Sequence, residues 1–309
     1  MPRILAITGG VGGAKLSLGL ARLLPPEQVA FAVNTGDDFK HLGLEICPDL
    51  DTLVYTLAGL ANPATGWGRA DETWSFLDTL EALGGETWFQ LGDKDLALHV
   101  TRTRMLAGGR SRTEAALAIS RALGVHHPVL PMSDDPVRTL VHTKDGPLAF
   151  QHYFVRDRCR PAVTGFEFHG ARSARPNPAM LEWLDTADGV VICPSNPFVS
   201  VDPMLAIRGM REALLKTSAP VVAVSPIVGG TAIKGPAAKM MQELELPASA
   251  EQVAAHYGDL LDGFVIDQQD AALAGRIRVP TVVTQTVMLT LRDRLDLAGT
   301  VLRFLDDLR

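Results

Sequence analysis

GGVGGAK, residues 9–15, directly follows the apolar run Ile4-Leu5-Ala6-Ile7 and precedes a helical pattern that begins at Leu16. Glycines at a strand-to-helix junction let the backbone approach a ligand closely, and the free N–H groups of the first helical turn point at an anion. Lys15 adds a cation beside those amides. The pattern predicts a phosphate-binding turn that includes Gly10, Gly12, Gly13 and Lys15. The alternative is a glycine turn that only lets the helix pack against the strand.

This turn departs from both of the common nucleotide-binding fingerprints. If the motif starts at Gly10, a dinucleotide-binding turn requires a third glycine where Lys15 stands. If it starts at Gly9, a Walker loop requires glycine at Ala14 and Ser or Thr at Leu16. The sequence therefore argues against a standard P-loop NTPase. An NAD-dependent oxidoreductase is supported only by Asp37, which follows the second predicted strand.

The composition of the chain limits the classes of protein to which it can belong. The chain has 309 residues, 47% of them hydrophobic, which is enough for one large core or two modest ones. A net charge of −6 with scattered basic residues argues against a surface that coats nucleic acid. Three cysteines stand far apart and outside any CxxC spacing, and the sequence has no apolar run of 18 residues. We expect a cytoplasmic protein with neither a nucleic-acid nor a membrane partner.

The longest regularity is an alternation of short apolar runs with helical stretches. Near-continuous Val, Ile and Ala runs indicate strands that are buried on both faces. We therefore expect an α/β fold with a doubly wound, mostly parallel, Rossmann-like sheet, whose ligands lie at the carboxyl ends of the strands. The predicted strands are Arg3–Thr8, Val29–Thr35, Gly189–Cys193, Val221–Ser225 and Gly263–Asp267, and the predicted helices include Pro203–Lys216 and Ala250–Leu261.

The middle of the chain has a different pattern. Val137–His142 and Leu148–Val155 alternate in polarity around Lys144-Asp145-Gly146-Pro147, which predicts an antiparallel hairpin. We therefore expect a smaller α+β subdomain, inserted into the parallel sheet.

The predicted domain organisation follows from that insertion. Residues 1–130 and 175–309 would form the nucleotide-binding core, and residues 131–174 the inserted hairpin subdomain. Within the core, residues 50–127 are expected to be mainly helical.

Acidic residues cluster behind two of the expected ligand-facing turns. Asp37 and Asp38 follow the second strand, and Asp49 and Asp51 lie in Cys47-Pro-Asp-Leu-Asp-Thr52. Carboxylates of this kind suit Mg²⁺, which often uses one or two of them together with substrate phosphates. Asp37 and Asp49 are the predicted metal ligands. A helix cap is the alternative for Asp49, because it follows Pro48 and precedes an apolar helical pattern.

Two polar loops follow neighbouring strands of the predicted sheet. Ser195 and Asn196 come after one strand, and Gly229 and Gly230 lie in the loop after the next. Their place on neighbouring strand ends favours a shared pocket for a base or a phosphate, and ordinary turn chemistry is the alternative. A separate charged turn, Gly92-Asp93-Lys94-Asp95, precedes His99 by one helical turn.

Together these motifs resemble the 2-phospho-L-lactate transferase family of coenzyme F-420 biosynthesis. The resemblance covers nearly the whole chain, and its specificity lies in the order and spacing of the motifs. They are GGVGGAK (9–15), NTGDD (34–38), CPDLDTLVYTL (47–57), GWG (66–68), LGDKDLALH (91–99), LPMSDDPV (130–137), PSNPF (194–198) and VSPIVGGTAIKGPAAK (224–239).

The resemblance implies transfer of a phosphorylated three-carbon acid from a guanosine diphosphate conjugate to the ribityl hydroxyl of 7,8-didemethyl-8-hydroxy-5-deazariboflavin, with release of GMP. It makes the helical region at about 50–127 the acceptor-binding part of the core, and it places Asp51, Lys94 and Asp93 at the deazaflavin. It places guanosine and phosphates on the glycine turn and on the loops with Ser195-Asn196 and Gly229-Gly230. Mg²⁺ on Asp37 or Asp49 would screen the diphosphate, and either Asp49 or Asp51 would accept the hydroxyl proton.

Several alternatives stay open at the level of sequence. The acid could be 2-phospholactate, phosphoenolpyruvate or 3-phosphoglycerate. A regulatory protein that binds sugar nucleotides, with a similar glycine turn and no transfer activity, is the competing function. A homodimer is expected from base rates alone.

Overall fold

The computed structural model describes residues 2–309, in which helices and strands alternate along much of the chain. The strands are β1 (Ile4–Thr8), β2 (Val29–Val33), β3 (Phe39–His41), β4 (Leu44–Ile46), β5 (Val129–Pro131), β6 (Arg138–Thr143), β7 (Gly146–Ala149), β8 (Val163–His169), β9 (Gly189–Ile192), β10 (Val221–Val224), β11 (Ile227–Val228), β12 (Thr231–Ala232), β13 (Gly263–Asp267) and β14 (Thr281–Thr284). The α-helices are α1 (Gly10–Leu23), α2 (Pro48–Leu57), α3 (Ser75–Ala82), α4 (Asp93–Ala107), α5 (Arg112–Ala122), α6 (Pro178–Asp185), α7 (Asp202–Leu205), α8 (Met210–Lys216), α9 (Ala237–Glu243), α10 (Ala250–Tyr257) and α11 (Leu291–Asp307).

Seven strands form one parallel sheet in the order β14-β13-β10-β9-β1-β2-β5. The chain builds outward from β1 through β2 to β5, then returns to the other side of β1 with β9. The expected doubly wound, Rossmann-like fold is confirmed. In such sheets a crevice opens at the carboxyl ends of the two strands where the winding direction reverses, here β1 and β9. The glycine turn after β1 and the loop after β9 therefore face the same crevice.

Both faces of the sheet are covered, as the apolar runs predicted. Alternate residues of β1 point to opposite sides: Ile4 and Ala6 pack in one core with α1, α2 and α11, and Leu5 and Ile7 pack in the other with α6, α8 and α10. All five residues of β1 are buried. This rigid central layer fixes the positions of the loops at its carboxyl edge.

Several predicted helix ends were wrong, and two strands of the sheet were not predicted. The segment expected as one helix over 203–216 is two helices, α7 and α8, because the chain turns at Gly209 with φ of 86°. The helix expected to reach Leu261 ends at Tyr257 and continues as a short 3₁₀ turn. The edge strands β5 and β14 were not predicted, since runs of three or four residues give little periodicity.

Residues 138–169 carry a separate antiparallel sheet in the order β7-β6-β8. Its hairpin turns at Lys144 and Asp145, and its second strand ends at Ala149, not at Val155 as expected. The chain then coils into a π-helical turn, His152–Arg156, which returns it toward the crevice. Strand β8 was missed, because no turn signal links it to the hairpin.

None of the three cysteines is paired in a disulfide. Over residues 2–309, no helix is both long enough and apolar enough to cross a membrane.

Candidate functional site

A cavity of about 730 Å³ opens at the carboxyl edge of the parallel sheet. Its floor is the glycine turn, and its walls come from α2, α4, the segment after β7 and the loops after β9, β10 and β14. The predicted site residues on its lining are Gly10, Gly12, Lys15, Asp37, Asp49, Asp51, Ser195 and Asn196. The parallel sheet thus gathers residues that are up to 186 positions apart in sequence.

The glycine turn serves both packing and access. Gly10 opens α1 with a φ of +64°, a conformation that glycine adopts without strain. A Cβ at Gly12 would lie 2.3 Å from the carbonyl oxygen of Pro194, and one at Gly13 would lie 2.3 Å from Oγ1 of Thr8. These two glycines therefore let α1 approach β1 and the loop after β9, while Gly10 and Gly12 also face the cavity.

The loop after β9 is tied to that turn by Ser195. Its Oγ donates to the carbonyl of Gly9 at 2.9 Å and accepts from the Gly9 N–H at 3.1 Å. Asn196 accepts from the N–H of Phe198 at 3.0 Å and so begins the next helical turn. Both side chains line the cavity, and their present bonds hold the loop's shape.

Lys15 lies on the cavity wall. Its Nζ donates to the carbonyl of Met288 at 2.8 Å. Burial lowers the pKa of Lys15, and the positive charges of Arg294 and Lys234 lower it further. Its position on the lining places the Lys15 side chain close to the glycine turn.

Asp37 and Asp49 form a buried carboxylate pair under the glycine turn. Asn34 bridges them: its Nδ2 donates to Asp37 Oδ1 at 3.1 Å and to Asp49 Oδ2 at 3.0 Å. Gln151 Nε2 approaches Asp37 Oδ2 at 3.3 Å, and the Gly10 N–H donates to Asp49 Oδ1 at 2.8 Å. Asp49 therefore forms a hydrogen bond to the glycine turn, and its role is not limited to capping α2.

The pair lacks a positive partner within the described residues. Asp37 and Asp49 are 6% and 7% exposed, and no Lys, Arg or His of residues 2–309 forms an ion pair with either. Burial raises the pKa of Asp37 well above its usual range, and the negative charges of Asp49 and Asp38 raise it further. Burial also raises the pKa of Asp49 to about 6. An uncompensated pair of buried carboxylates is a place where a cation is stabilising.

The donor set fits Mg²⁺ that is completed by a substrate. Within the described chain there is no group of three or more His, Cys, Asp or Glu side chains that could hold a metal by itself. Two carboxylates beside the glycine turn match the usual Mg²⁺ arrangement, in which substrate phosphates and waters supply the remaining oxygens.

Asp38, next in the chain, is arranged differently. Its Oδ2 accepts from Nη1 of Arg112 and from Sγ of Cys47, each at 3.1 Å. Asp38 lies behind the cavity wall, where its charge is compensated by Arg112. Burial nevertheless raises its pKa to about 6.

Asp51 belongs to a second buried network. Arg102 donates to both of its carboxylate oxygens, with Nη1 at 3.0 Å from Oδ2. His99 lies between Asp51 and Asp95, with its Nε2 3.2 Å from Asp95 Oδ2, and Tyr55 donates to Asp95 Oδ1 at 2.5 Å. Asp95, His99 and Arg102 share one face of α4, at the helical spacing of i, i+4 and i+7.

Besides Gly13, four predicted site residues lie off the cavity lining. Asp93 accepts from the N–H of Phe76 at 3.0 Å and thereby caps α3. The ammonium of Lys94 donates to the carbonyl of Asp71 at 2.5 Å. Gly229 and Gly230 form the tight turn between β11 and β12, where the Gly229 N–H donates to Asp270. The structure therefore does not bring these four residues together with Asp37, Asp49 and Asp51.

Three polar side chains of the site were missed by sequence reasoning. Asn34 stands within a quoted motif, but nothing in the sequence marked it as the bridge between two carboxylates. Arg102 could have been found, because it lies on the helical face that carries Asp95 and His99. Gln151 gave no signal, because the segment was expected to be a strand.

Aromatic rings form part of the cavity wall. Phe150 and Phe154 are stacked with centroids 5.4 Å apart, and Trp88 meets His152 edge-on at 5.1 Å. Phe150, Phe154, Trp88 and Phe89 all line the cavity. Such a wall suits a flat conjugated ring system.

Comparisons with known proteins identify the family of the chain. Residues 4–284 match the family model described as 2-phospho-L-lactate transferase CofD. The chain is 41% identical over 300 residues to a phosphoenolpyruvate transferase of Kitasatospora aureofaciens, covering 94% of this chain and 93% of that one. It is 37% identical over 269 residues to a 2-phospho-L-lactate transferase of Methanosarcina mazei, covering 87% and 88%. A crystal structure of a UPF0052 family member from Bacillus halodurans has the same fold, with a TM-score of 0.65, 16% identity and coverage of 98% and 99%.

Proposed function

Because the chain belongs to the 2-phospho-L-lactate transferase family of coenzyme F-420 biosynthesis, we propose that it transfers a phosphoenolpyruvyl group from a guanosine diphosphate conjugate. The acceptor would be the ribityl hydroxyl of 7,8-didemethyl-8-hydroxy-5-deazariboflavin, and GMP would be released. That the chain is a transferase of this pathway follows from its family and its named relatives. The identity of the three-carbon acid and the roles of single residues are the proposal.

The observation that carries the proposal is the uncompensated pair Asp37 and Asp49 directly beneath the glycine turn. The Gly10 N–H donates to Asp49, so the carboxylate pair lies directly beside the N-terminal amides of α1. A diphosphate at the amide end brings more negative charge, which the carboxylates alone would repel. A divalent cation held by Asp37 and Asp49 resolves this conflict, and when bound it would neutralise the diphosphate and stabilise the leaving phosphate.

The remaining carboxylate, Asp51, is suited to the acceptor. It lines the cavity, and its charge is already compensated by Arg102. We assign to Asp51 the role of accepting a hydrogen bond, and then the proton, from the attacking hydroxyl. A carboxylate can take this role if the nucleophile loses its proton late in a loose phosphoryl-transfer transition state.

The bond changes then follow. The hydroxyl oxygen forms a bond to the phosphorus that carries the acid, and the bridging P–O bond to GMP breaks. The hydroxyl proton passes to Asp51, and the electron pair leaves with GMP. The amides of α1 and Lys15 hold the phosphates in line, so that positioning and charge neutralisation supply the catalysis.

The deazaflavin ring would lie against the aromatic wall that includes Trp88 and Phe150. Asp93 and Lys94 open α4, the helix that carries the cavity-lining Asp95. Their role at the deazaflavin remains a proposal, and it requires the Lys94 ammonium to leave the Asp71 carbonyl. The roles of Gly229 and Gly230 in nucleotide binding likewise remain proposals.

Relatives with two different names, phosphoenolpyruvate transferase and 2-phospho-L-lactate transferase, are similar to this chain. Those named phosphoenolpyruvate transferase are 38–42% identical over 87–96% of the chain, and those named 2-phospho-L-lactate transferase are 37–38% identical over 87%. This difference supports phosphoenolpyruvate as the first donor to test.

The test is release of GMP by the purified protein with Mg²⁺ and the deazaflavin acceptor. The donors would be the guanosine diphosphate conjugates of phosphoenolpyruvate, 2-phospholactate and 3-phosphoglycerate, supplied separately. We expect turnover to be fastest with the first. Faster turnover with another conjugate would reassign the acid, and no GMP release with any of them would refute the transfer.

Two further expectations stay predictions. A homodimer can be checked by light scattering on the purified chain. Cytoplasmic location can be checked by cell fractionation.

A further inference from the structure

Three basic side chains of the described residues line the large cavity: Lys15, Lys234 and Arg158. The first two are engaged, since Lys15 donates to the carbonyl of Met288 at 2.8 Å and Lys234 donates to that of Thr65 at 2.6 Å. Arg158 forms no hydrogen bond, ion pair or ring contact with residues 2–309. Among these three cations, Arg158 is the one with no partner in the described chain.

The backbone at Arg158 is held in an unfavourable conformation. Arg158 and Cys159 are consecutive non-glycine residues with φ of +52° and +55°. Left-handed backbone is costly for residues with a Cβ, and it persists where the surrounding structure imposes it, often at binding sites. Here the Cys159 N–H donates to the carbonyl of Tyr153 at 2.9 Å, which fixes the turn.

The segment is anchored at both ends. At one end Gln151 approaches Asp37 at 3.3 Å, and at the other Lys239 of α9 donates to the carbonyl of Pro161 at 3.2 Å. Between them lies the π-helical turn His152–Arg156. Arg158 follows this turn and lines the same cavity as Asp37 and Asp49.

We infer that Arg158 binds the carboxylate of the three-carbon acid carried by the donor. The inference rests on the proposed function. The diphosphate is already provided for by the amides of α1, Lys15 and the cation site at Asp37 and Asp49. The acid's carboxylate is the remaining anionic group of the donor, and a guanidinium matches a carboxylate with two parallel hydrogen bonds.

The most direct variant is Arg158→Gly. It removes the guanidinium, and glycine adopts the left-handed backbone without strain, so the fold is retained. Arg158→Lys keeps the positive charge but cannot form the two parallel hydrogen bonds that a guanidinium makes to a carboxylate. Arg156→Gln is the matched control, because Arg156 lies two residues away and pairs with Asp157 outside the cavity lining.

The expected result is a selective loss of donor binding. Loss of a charge-assisted hydrogen-bonded pair should raise the KM for the donor by about 10- to 100-fold in Arg158→Gly, with a smaller rise in Arg158→Lys. GDP carries the phosphates without the acid, so its Kd by calorimetry should be unchanged in all variants. The KM for the deazaflavin should also be unchanged, and Arg156→Gln should behave as wild type.

Other outcomes overturn the inference in distinguishable ways. A parallel loss of GDP affinity would assign Arg158 to the phosphates, and a raised KM for the deazaflavin would assign it to the acceptor. An active wild type beside an unaltered Arg158→Gly would refute any role in binding. A wild type that releases no GMP with any donor would overturn the proposed function and this inference with it.

Discussion

Arg102 donates to both carboxylate oxygens of Asp51, and both side chains are buried. The two residues lie on different helices, α4 and α2, so the ion pair joins the two helical walls of the cavity. Neither helix could place its charged residue there alone, because an unpaired charge at this depth is strongly destabilising.

Asp51→Asn should therefore lower both activity and stability. Turnover should fall by at least about 100-fold, because the group that accepts the hydroxyl proton is lost. Stability should fall by about 3–5 kcal/mol, because Arg102 stays buried without a counter-charge. Urea unfolding measures the second effect.

The double variant Asp51→Asn/Arg102→Met is the control for that loss. It removes both charges and keeps a long side chain, so it should recover much of the stability without recovering turnover. Equal stability of the single and double variants would show that the pair does not compensate charge in the way described.

Asp37→Asn should abolish the dependence of GDP binding on Mg²⁺. In the wild type, Mg²⁺ should tighten GDP binding by about tenfold or more, since a divalent ion near phosphates is worth at least ~1.4 kcal/mol. Calorimetry with and without Mg²⁺ measures this. Asp78→Asn, at an exposed position on α3, should respond to Mg²⁺ as the wild type does. The same response in Asp37→Asn would remove Asp37 from the cation site.

Asp267→Asn should destabilise the protein in a pH-dependent way. Burial raises the pKa of Asp267, but hydrogen bonds from Gln269 and Thr286 outweigh it and hold the pKa below 3.8. A carboxyl group whose pKa is lowered by folding stabilises the folded state. This stabilisation is complete above the pKa of the unfolded state and is lost as the pH falls through the pKa of the folded state. The variant should therefore be about 1–3 kcal/mol less stable at pH 7.

The difference in stability between the wild type and Asp267→Asn should shrink only as the pH is lowered below about 4, where the carboxyl of the unfolded state becomes protonated. Chemical unfolding at a series of pH values measures it. Asp145→Asn, in the exposed hairpin turn, is the control and should show no such pH dependence. A constant difference down to pH 2 would contradict the account.

Gly12→Ala should disturb the packing of α1 against the loop after β9. A Cβ there would lie 2.3 Å from the Pro194 carbonyl, a backbone atom that cannot move cheaply. We expect a loss of about 1–3 kcal/mol and weaker GDP binding. Gly165→Ala in β8 is the control, since its Cβ would meet no atom within 4 Å. A fully stable Gly12→Ala would show that the close approach is not required.

Much of the fold could be predicted because its signals are local. The apolar runs of β1, β2, β9, β10 and β13 are buried on both faces, and their composition shows this directly. The edge strands and β8 could not be recognised, because short strands acquire their identity from the neighbour they pair with. The helix expected over 203–216 failed for a similar reason: a helical pattern does not reveal that the chain reverses at Gly209.

For the site, the sequence by itself determined which residue types are present: a glycine turn after β1, carboxylates after β2 and at the start of α2, and polar loops after β9 and β10. Only the tertiary structure decided what each carboxylate does. Asp37 and Asp49 share Asn34 and lack a cationic partner in the described chain, whereas Asp51 is neutralised by Arg102 from another helix. The physical reason is that charge compensation depends on distances of a few ångströms between segments far apart in the chain, and only the packed sheet and helices set those distances.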